Sequence, residues 1–387
     1  MIDQVVTREA ADTRLRRAYG FEEVALVPGA VTADPAEVDL SVDLAGIPLR
    51  IPFLAAAMDA VADVDVAIRM TRAGGVAFVN LEGLYARYED AAPIIERVAT
   101  AEDGRAAAHI LAEAYERPVR SELIRELIGR IKAGGGIAAV ATTPASAWDH
   151  AEVAADAGAD LFLVQSQVSS ARHISTSGRV LSLSDLTGAL RLPVLVGNTV
   201  SGEAAYQLMH QGAAAIFVGV GPGAACTTRE VLGIGVPQVS ATLEVAAARD
   251  RYARETGRYV PVVTDGGMKT GGDIAKAIAS GADAVMLGSP FAGATEAPGR
   301  GYNWGMAAPS PTLPRGTRIR IGERLPLEQI LFGPAETTHG TQNLVGALRQ
   351  SMAALGARTI REMHEVEMVI APSIATEGKS WQLAGRE

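Results

Sequence analysis

The chain has 387 residues, a formal net charge of −9 and a single cysteine, a length that suits one large barrel or two ordinary domains. We expect no nucleic-acid partner, because binding phosphates needs clustered positive charge, and the lone cysteine excludes an intramolecular disulfide framework or a multi-thiolate metal site. No apolar run approaches the ~20 residues of a membrane span, and the N-terminal segment lacks the apolar core of a signal peptide, so a cytoplasmic protein that does not enter a membrane is expected.

Eight short apolar runs alternate with helical patterns along the chain. The runs are residues 51–57, 74–80, 136–143, 160–166, 193–199, 214–220, 261–267 and 284–290. Near-continuous apolar runs are typical of strands buried on both faces, and their alternation with helices indicates a parallel sheet. Eight such units predict an α/β fold of the TIM (β/α)8 barrel type. A doubly wound open sheet is the alternative.

Two long segments depart from simple strand–helix units. Residues 81–135 are helix-rich, with the amphipathic stretch ELIRELIGRIKAGGG, and we interpret them as an elaborated connection. Residues 292–345 are dense in Gly and Pro, and a long loop of this kind after the last strand is more often functional than a linker. We therefore predict a single barrel domain over residues 1–387 with elaborated loops.

The turn after the sixth predicted strand, GVGPGAACTTRE, contains the only cysteine. A buried, inert thiol is the common fate of a lone cysteine. Cys226, however, lies in a Gly/Pro loop at the end of a strand where TIM barrels place their active sites, and Thr227 and Thr228 follow it. A thiolate is a strong nucleophile that can form a covalent intermediate, so Cys226 is predicted to be a catalytic nucleophile.

The turns after the last two predicted strands are also rich in glycine. They read TDGGMKTGGD, in which Asp265 precedes two glycines, and MLGSP, which contains Gly288 and Ser289. Loops at these two positions often bind phosphate in TIM barrels, and glycine lets the backbone approach an anion closely. The pair favours a nucleotide monophosphate, with Asp265 accepting hydrogen bonds from the ribose. The alternative is that the glycines only make tight turns.

Other candidate residues have weaker patterns. The six histidines are scattered and include no HExxH motif, so a zinc site is not expected. Asp59 follows the first predicted strand and is either a site residue or a helix cap.

Three segments of the chain resemble the IMP dehydrogenase/GMP reductase family. They are GVGPGAACTTREVLGIGVPQ, DGGMKTGGDIAKAIASGADAVMLGSPFAG, and EAPG followed by GM. The resemblance runs from about residue 21 to about residue 375, and it is greatest to a shorter, IMP dehydrogenase-related branch. Most IMP dehydrogenases carry a tandem CBS module after the second strand. Residues 81–135 are too short for that module and unlike it, so no CBS domain is expected.

The resemblance implies a mechanism and a set of nucleotide contacts. Cys226 would attack C2 of the purine, Thr228 would assist at the same carbon, and hydride would pass to or from a nicotinamide. Asp265 would hold the ribose hydroxyls. The other implied contacts are Met58 and Asn198 in the nucleotide pocket, Gly267, Gly288 and Ser289 at the phosphate, and the backbone of Gly305 and Met306 at the base edge.

The resemblance also implies NAD or NADP as cofactor, a potassium ion and a homotetramer. The carbonyls of Gly221, Gly223 and Cys226 resemble the potassium site of the family. Glu377 and Gly378 resemble the half of that site that a neighbouring subunit contributes. The implied small-molecule partners are purine nucleotide monophosphates: IMP, XMP or GMP.

Some positions differ from the family pattern. Gln165 stands where the family usually has an Asp that meets the cofactor ribose, and Ala224 replaces a phosphate-contacting Ser. The mobile flap, whose Arg–Tyr pair activates water, is shortened to PSPTLPRGTRIRIG. Arg315 and Arg318 are the candidate replacements for that pair.

The motif after the glycine-rich loop separates the two family activities. GMP reductases carry a Glu in GMSSE, where it helps to expel ammonia, whereas this chain reads GMAAP with Pro309 at that position. We therefore expect an IMP dehydrogenase that oxidises IMP to XMP with NAD in guanine nucleotide biosynthesis. The alternatives are an NADPH-dependent GMP reductase and a catalytically weak purine-nucleotide sensor.

Overall fold

A computed structural model of the chain describes residues 16–166, 168–170, 181–305, 318–322 and 324–371. Its strands are β1 (Val24–Leu26), β2 (Val42–Leu44), β3 (Ile47–Leu49), β4 (Phe53–Ala55), β5 (Val76–Asn80), β6 (Ala139–Thr142), β7 (Leu161–Gln165), β8 (Val194–Thr199), β9 (Ala215–Val218), β10 (Val262–Asp265), β11 (Ala284–Leu287), β12 (Tyr302–Asn303), β13 (Ile319–Arg320) and β14 (Met368–Ile370). Its helices are α1 (Val64–Ala73), α2 (Ala92–Thr100), α3 (Gly104–Tyr115), α4 (Ser121–Ala133), α5 (Ala147–Asp156), α6 (Leu183–Ala189), α7 (Gly202–His210), α8 (Thr228–Leu232), α9 (Gln238–Thr256), α10 (Gly271–Ala279), α11 (Ser289–Ala292), α12 (Leu327–Phe332), α13 (Leu344–Ala354) and α14 (Ile360–Met363).

Eight parallel strands close into a barrel in the order β10–β11–β4–β5–β6–β7–β8–β9. Each of the eight predicted apolar runs contains one of these strands. Closure is made by β11 against β4, where Val285 pairs with Phe53 in parallel register. The TIM barrel prediction is therefore confirmed, and the open-sheet alternative is wrong.

Side chains fill the interior of the barrel. Alternate residues of the eight strands form one buried cluster, in which the rings of Phe78 and Phe217 lie 5.8 Å apart at 83°. Leu44 and Leu49, on the antiparallel hairpin of β2 and β3, belong to the same cluster and are 1% and 2% exposed. Because the barrel interior is filled with side chains, it has no room for a ligand. A binding site is therefore expected in the loops at the carboxyl ends of the strands.

Helices cover the outside of the barrel. Asp63 caps α1 by accepting a hydrogen bond from the amide of Val66 at 2.9 Å. The residue predicted as a possible cap, Asp59, lies one turn earlier and makes other contacts, so the cap interpretation is wrong. Within the described ranges, no helix combines the length and apolar character needed to cross a bilayer.

Three helices, α2, α3 and α4, occupy the long connection between β5 and β6, as its composition indicated. α4 packs against α1 and α5, as an ordinary barrel helix does. α2 and α3 instead pack on each other and share a separate buried cluster with Ala60 and Trp304. The extra helices therefore lie against two segments next to the predicted site.

Candidate active site

The cysteine loop follows β9 and presents an exposed thiol. The amide of Cys226 donates to the carbonyl of Gly223 at 2.9 Å, which closes a tight turn. The sulfur lies 3.1 Å from the hydroxyl oxygen of Thr228, the first residue of α8, which is only 2% exposed. The structure therefore brings the two predicted catalytic side chains into direct contact.

The glycine turn after β10 packs against the cysteine loop. Gly266 and Gly267 both have positive φ, 83° and 82°, a left-handed conformation that favours glycine. A Cβ on Gly267 would lie 3.1 Å from Cβ of Pro222, which belongs to the cysteine loop. The predicted ribose and phosphate turn therefore lies beside the loop that carries Cys226.

Two buried amides hold the carboxyl group of Asp265 at the end of β10. Nδ2 of Asn198 donates to Oδ2 at 2.8 Å, and Nε2 of Gln165 donates to the same oxygen at 2.9 Å. Gln165 also donates to Oδ1 of Asn198 at 2.7 Å. Burial raises the pKa of Asp265 to about 6, and the two amide donors offset part of that rise.

Replacing Asp265 by Asn is expected to stabilise the fold at pH 7.5 and to change little at pH 4. Because the raised pKa keeps a proton on the folded carboxyl from about pH 4 to about pH 6, where the unfolded chain loses it, the wild type loses stability as the pH rises through that window. The expected gain at pH 7.5 is about 1–3 kcal/mol. Urea unfolding at both pH values measures it. The exposed Asp156 provides the control Asp156→Asn, and an equal gain in both variants would contradict the assignment.

The second half of the predicted site lies on neighbouring strand ends. Gly288 follows β11, and a Cβ there would lie 3.2 Å from the sulfur of Met58, which follows β4. Nδ2 of Asn303 donates to the hydroxyl of Ser289 at 3.1 Å. Since β10, β11 and β4 are adjacent in the barrel, these residues lie on the same side of the rim as Asp265. Asn303, 1% exposed, was missed by the sequence reasoning.

Several predicted contacts lie outside the described residues. Met306, Glu377 and Gly378 are among them, so the base-edge contact and the partner's half of the potassium site stay predictions. Gly305, the other residue of the predicted base-edge contact, is the last described residue before position 306. Gly221, whose φ is 77°, lies with Gly223 in the cysteine loop. Among the described residues, no group of three or more His, Cys, Asp and Glu could hold a metal ion. Backbone carbonyls, the ligands predicted for potassium, are a separate donor set.

Asp59 attaches the extra helices to the end of β4. It is 2% exposed, and its Oδ2 accepts hydrogen bonds from the amide of Leu84 at 2.9 Å and the hydroxyl of Tyr115 at 2.5 Å. Burial raises the pKa of Asp59, and the hydroxyl of Tyr115 opposes that rise. Asp59 is therefore bonded to the chain itself, directly beside Met58 of the predicted pocket.

In the structure, Arg318 binds the C-terminal end of α2. Its guanidinium donates to the carbonyls of Val98 at 2.5 Å, Ala99 at 3.0 Å and Ala101 at 3.1 Å, at the C-terminal end of α2. It also lies 4.2 Å from the ring centre of Tyr302. These contacts argue against Arg318 as the residue that activates water. The other candidate, Arg315, lies outside the described residues.

A further polar cluster lies at the ends of β5 and β6. Glu82 accepts hydrogen bonds from the hydroxyl of Thr142 at 2.9 Å and the amide of Thr143 at 2.7 Å, and the same hydroxyl is 2.8 Å from Nδ1 of His150. Burial lowers the pKa of His150. The sequence reasoning missed this cluster, although two consecutive threonines at the end of the predicted apolar run 136–143 could have indicated a polar strand end.

Comparisons with known proteins agree on one family. A family model described as the IMP dehydrogenase / GMP reductase domain matches residues 18–306. An uncharacterised oxidoreductase from Mycolicibacterium smegmatis is 38% identical over 363 residues, which cover 92% of this chain and 97% of that protein. An inosine-5'-monophosphate dehydrogenase from Methanocaldococcus jannaschii is 27% identical over 483 residues, covering 92% and 94% of the two chains.

A solved structure is similar over nearly the whole chain. The crystal structure of an IMP dehydrogenase/GMP reductase-like protein from Corynebacterium glutamicum has a TM-score of 0.87 and 34% sequence identity. The alignment covers 95% of this chain and 97% of the other. The similarity therefore includes the barrel and the strand ends that carry the candidate site.

Proposed function

Because the chain belongs to the IMP dehydrogenase/GMP reductase family of oxidoreductases, we propose that it oxidises IMP to XMP with NAD through a covalent adduct on Cys226. The observation that carries the proposal is the exposed thiol of Cys226 in contact with Thr228, beside the turn that contains Asp265. An accessible nucleophile, a hydroxyl within reach of it and a carboxyl for the ribose are what covalent chemistry on a nucleotide requires.

In the proposed reaction, the sulfur of Cys226 adds to C2 of the purine: the carbon–sulfur bond forms as the C2=N3 double bond becomes single, and the thiol proton goes to N3. The hydroxyl of Thr228, 3.1 Å from the sulfur, would relay that proton, and the short distance supports this role. A nicotinamide bound here would supply hydride acceptance, so that the hydrogen on C2 would leave with two electrons. Water then adds to C2, and the carbon–sulfur bond breaks to release XMP and restore the thiol.

The residues present are compatible with the implied cofactor and ion. Gln165 uses both amide hydrogens on Asn198 and Asp265, and its carbonyl oxygen, which accepts no hydrogen bond from the described residues, would accept one from a cofactor ribose. The carbonyls of Gly221, Gly223 and Cys226 would hold potassium and so stabilise the loop that carries the nucleophile. Carbonyl oxygens in a tight turn are a suitable donor type for an alkali cation.

GMP reductase is the second candidate, because the family model covers both activities. It would use the same thiol and the same nucleotide turns, with NADPH as the reductant. Pro309 occupies the position of the glutamate that GMP reductases carry, which favours the dehydrogenase. A weak nucleotide sensor is the third candidate, since Arg318 is engaged with the end of α2 and the flap is short.

We also propose a homotetramer in the cytoplasm that takes part in guanine nucleotide biosynthesis. Glu377 and Gly378 would reach the potassium site of a neighbouring subunit. The mass of the particle in solution, measured with and without potassium, tests this assembly. A monomer under both conditions would contradict it.

Two assays on the pure protein discriminate between the three activities. The first supplies IMP with NAD or NADP, and the second supplies GMP with NADPH or NADH, each with and without potassium. We expect NADH to form in the first assay and no NADPH to be consumed in the second. NADPH consumption without dehydrogenase turnover would establish the reductase instead. Nucleotide binding without turnover in either assay would establish the sensor.

A further inference from the structure

The side-chain amide of Gln165 forms a closed triangle with Asn198 and Asp265. Each of the three hydrogen bonds of the triangle is between 2.7 and 2.9 Å long and joins an N–H group to an oxygen. Rotating either amide by 180° would bring oxygen against oxygen or NH2 against NH2, so the network itself determines both amide orientations. The three side chains therefore hold one another in a single arrangement.

The triangle uses only one carboxyl oxygen of Asp265. Oδ2 accepts from both amides, whereas Oδ1 accepts no hydrogen bond from the part of the chain that the structure describes. Gln165 and Asn198 are 9% and 7% exposed, and Asp265 is more accessible than either. A ligand at this strand end therefore meets Oδ1, and a carboxylate oxygen forms strong, charge-assisted hydrogen bonds with hydroxyl donors.

We propose that Gln165 is a positioning residue for the nucleotide: it holds Asp265 so that Oδ1 accepts hydrogen bonds from the ribose hydroxyls. The inference rests on the proposed nucleotide function and deepens it, because Gln165 would act through Asp265 and not by touching the ribose itself. The amide is suited to this role because it is neutral. A carboxylate at position 165 would put negative oxygen within 2.9 Å of Oδ2 of Asp265, and the two would repel.

The test is the preference of the protein for a ribose that carries its hydroxyls. Calorimetry gives the Kd of IMP and of its 2',3'-dideoxy analogue, which lacks the groups that Oδ1 would accept. Wild type is expected to bind IMP at least about tenfold more tightly than the analogue. Gln165→Met, similar in length but without N–H groups, is expected to reduce that ratio to about threefold or less. In turnover assays it should raise KM for the nucleotide more than it lowers kcat.

A double-mutant cycle shows whether Gln165 acts through the carboxyl group. Asp265→Asn should reduce the same ratio, and adding Gln165→Met to that variant should reduce it no further. Gln207→Met, on the exposed face of α7, is the matched control and should keep the wild-type ratio. If Gln165→Met fails to fold, Gln165→Glu keeps the shape of the side chain and is expected to lower the ratio by repulsion.

Each other outcome contradicts a specific claim. An unchanged ratio in the Gln165 variants overturns the inference and leaves the proposed function intact. If Gln165→Met still reduces the ratio in the Asp265→Asn background, the inference is also overturned, because the effect of Gln165 would not depend on the carboxyl group. Failure of the wild type to bind either IMP or GMP overturns the proposed function itself, and the inference with it, before any variant is compared.

Discussion

Cys226→Ala is expected to lower turnover at least about 10³-fold while nucleotide binding survives. The thiol is exposed and contacts Thr228, and no second cysteine exists to replace it. Removing the nucleophile removes the covalent route, whereas the carboxyl of Asp265 and the glycine turns that are proposed to bind the nucleotide remain. Steady-state turnover with IMP and NAD and calorimetry with IMP measure the two effects separately.

The single cysteine also provides a direct control. Alkylation of the wild type should add one label, at Cys226, and IMP should slow that addition because the adduct and the nucleotide occupy the same place. Mass spectrometry of the wild type, quenched during turnover, should show the nucleotide adduct, and the alanine variant should show none. Residual activity within tenfold of wild type would mean that the covalent mechanism is wrong.

Arg249→Met is expected to lower the free energy of unfolding by about 3–5 kcal/mol. The arginine is 2% exposed and donates to the carbonyl of Gly281 at 2.7 Å and to Oδ2 of Asp283 at 3.1 Å. Asp283, 6% exposed, directly precedes β11, so the substitution would leave a buried carboxylate without its cation at the amino end of the barrel. Urea unfolding at neutral pH measures the loss.

A matched control lies two residues further along the same helix. Arg251 is exposed and pairs with Glu255 at 3.0 Å one turn away, so Arg251→Met should lower the free energy of unfolding far less than Arg249→Met does, because solvent screens the exposed pair. Combining Arg249→Met with Asp283→Asn should recover part of the stability, because the second change removes the unpaired charge. Equal losses in the Arg249 and Arg251 variants would show that the buried pair contributes no more than a surface pair.

The barrel could be predicted from the sequence because its signal is local. Each strand is buried on both faces, so each reads as a short apolar run, and the intervening helices have their own periodicity. The end of each run also locates the turns that carry Cys226, Asp265 and Gly288. The hairpin of β2 and β3 was missed, since its three-residue strands are too short to show a pattern.

The local pattern of residues was therefore enough to predict the eight strands, the turns that follow them and the chemical character of the residues in those turns. Which side chains contact one another depends instead on the folded arrangement. The triangle of Gln165, Asn198 and Asp265 joins residues that are 33, 67 and 100 positions apart. The same holds for Arg318, which caps α2 from about 220 positions away. Such contacts depend on how closure of the barrel brings separate strand ends together, and no local pattern in a single chain records that.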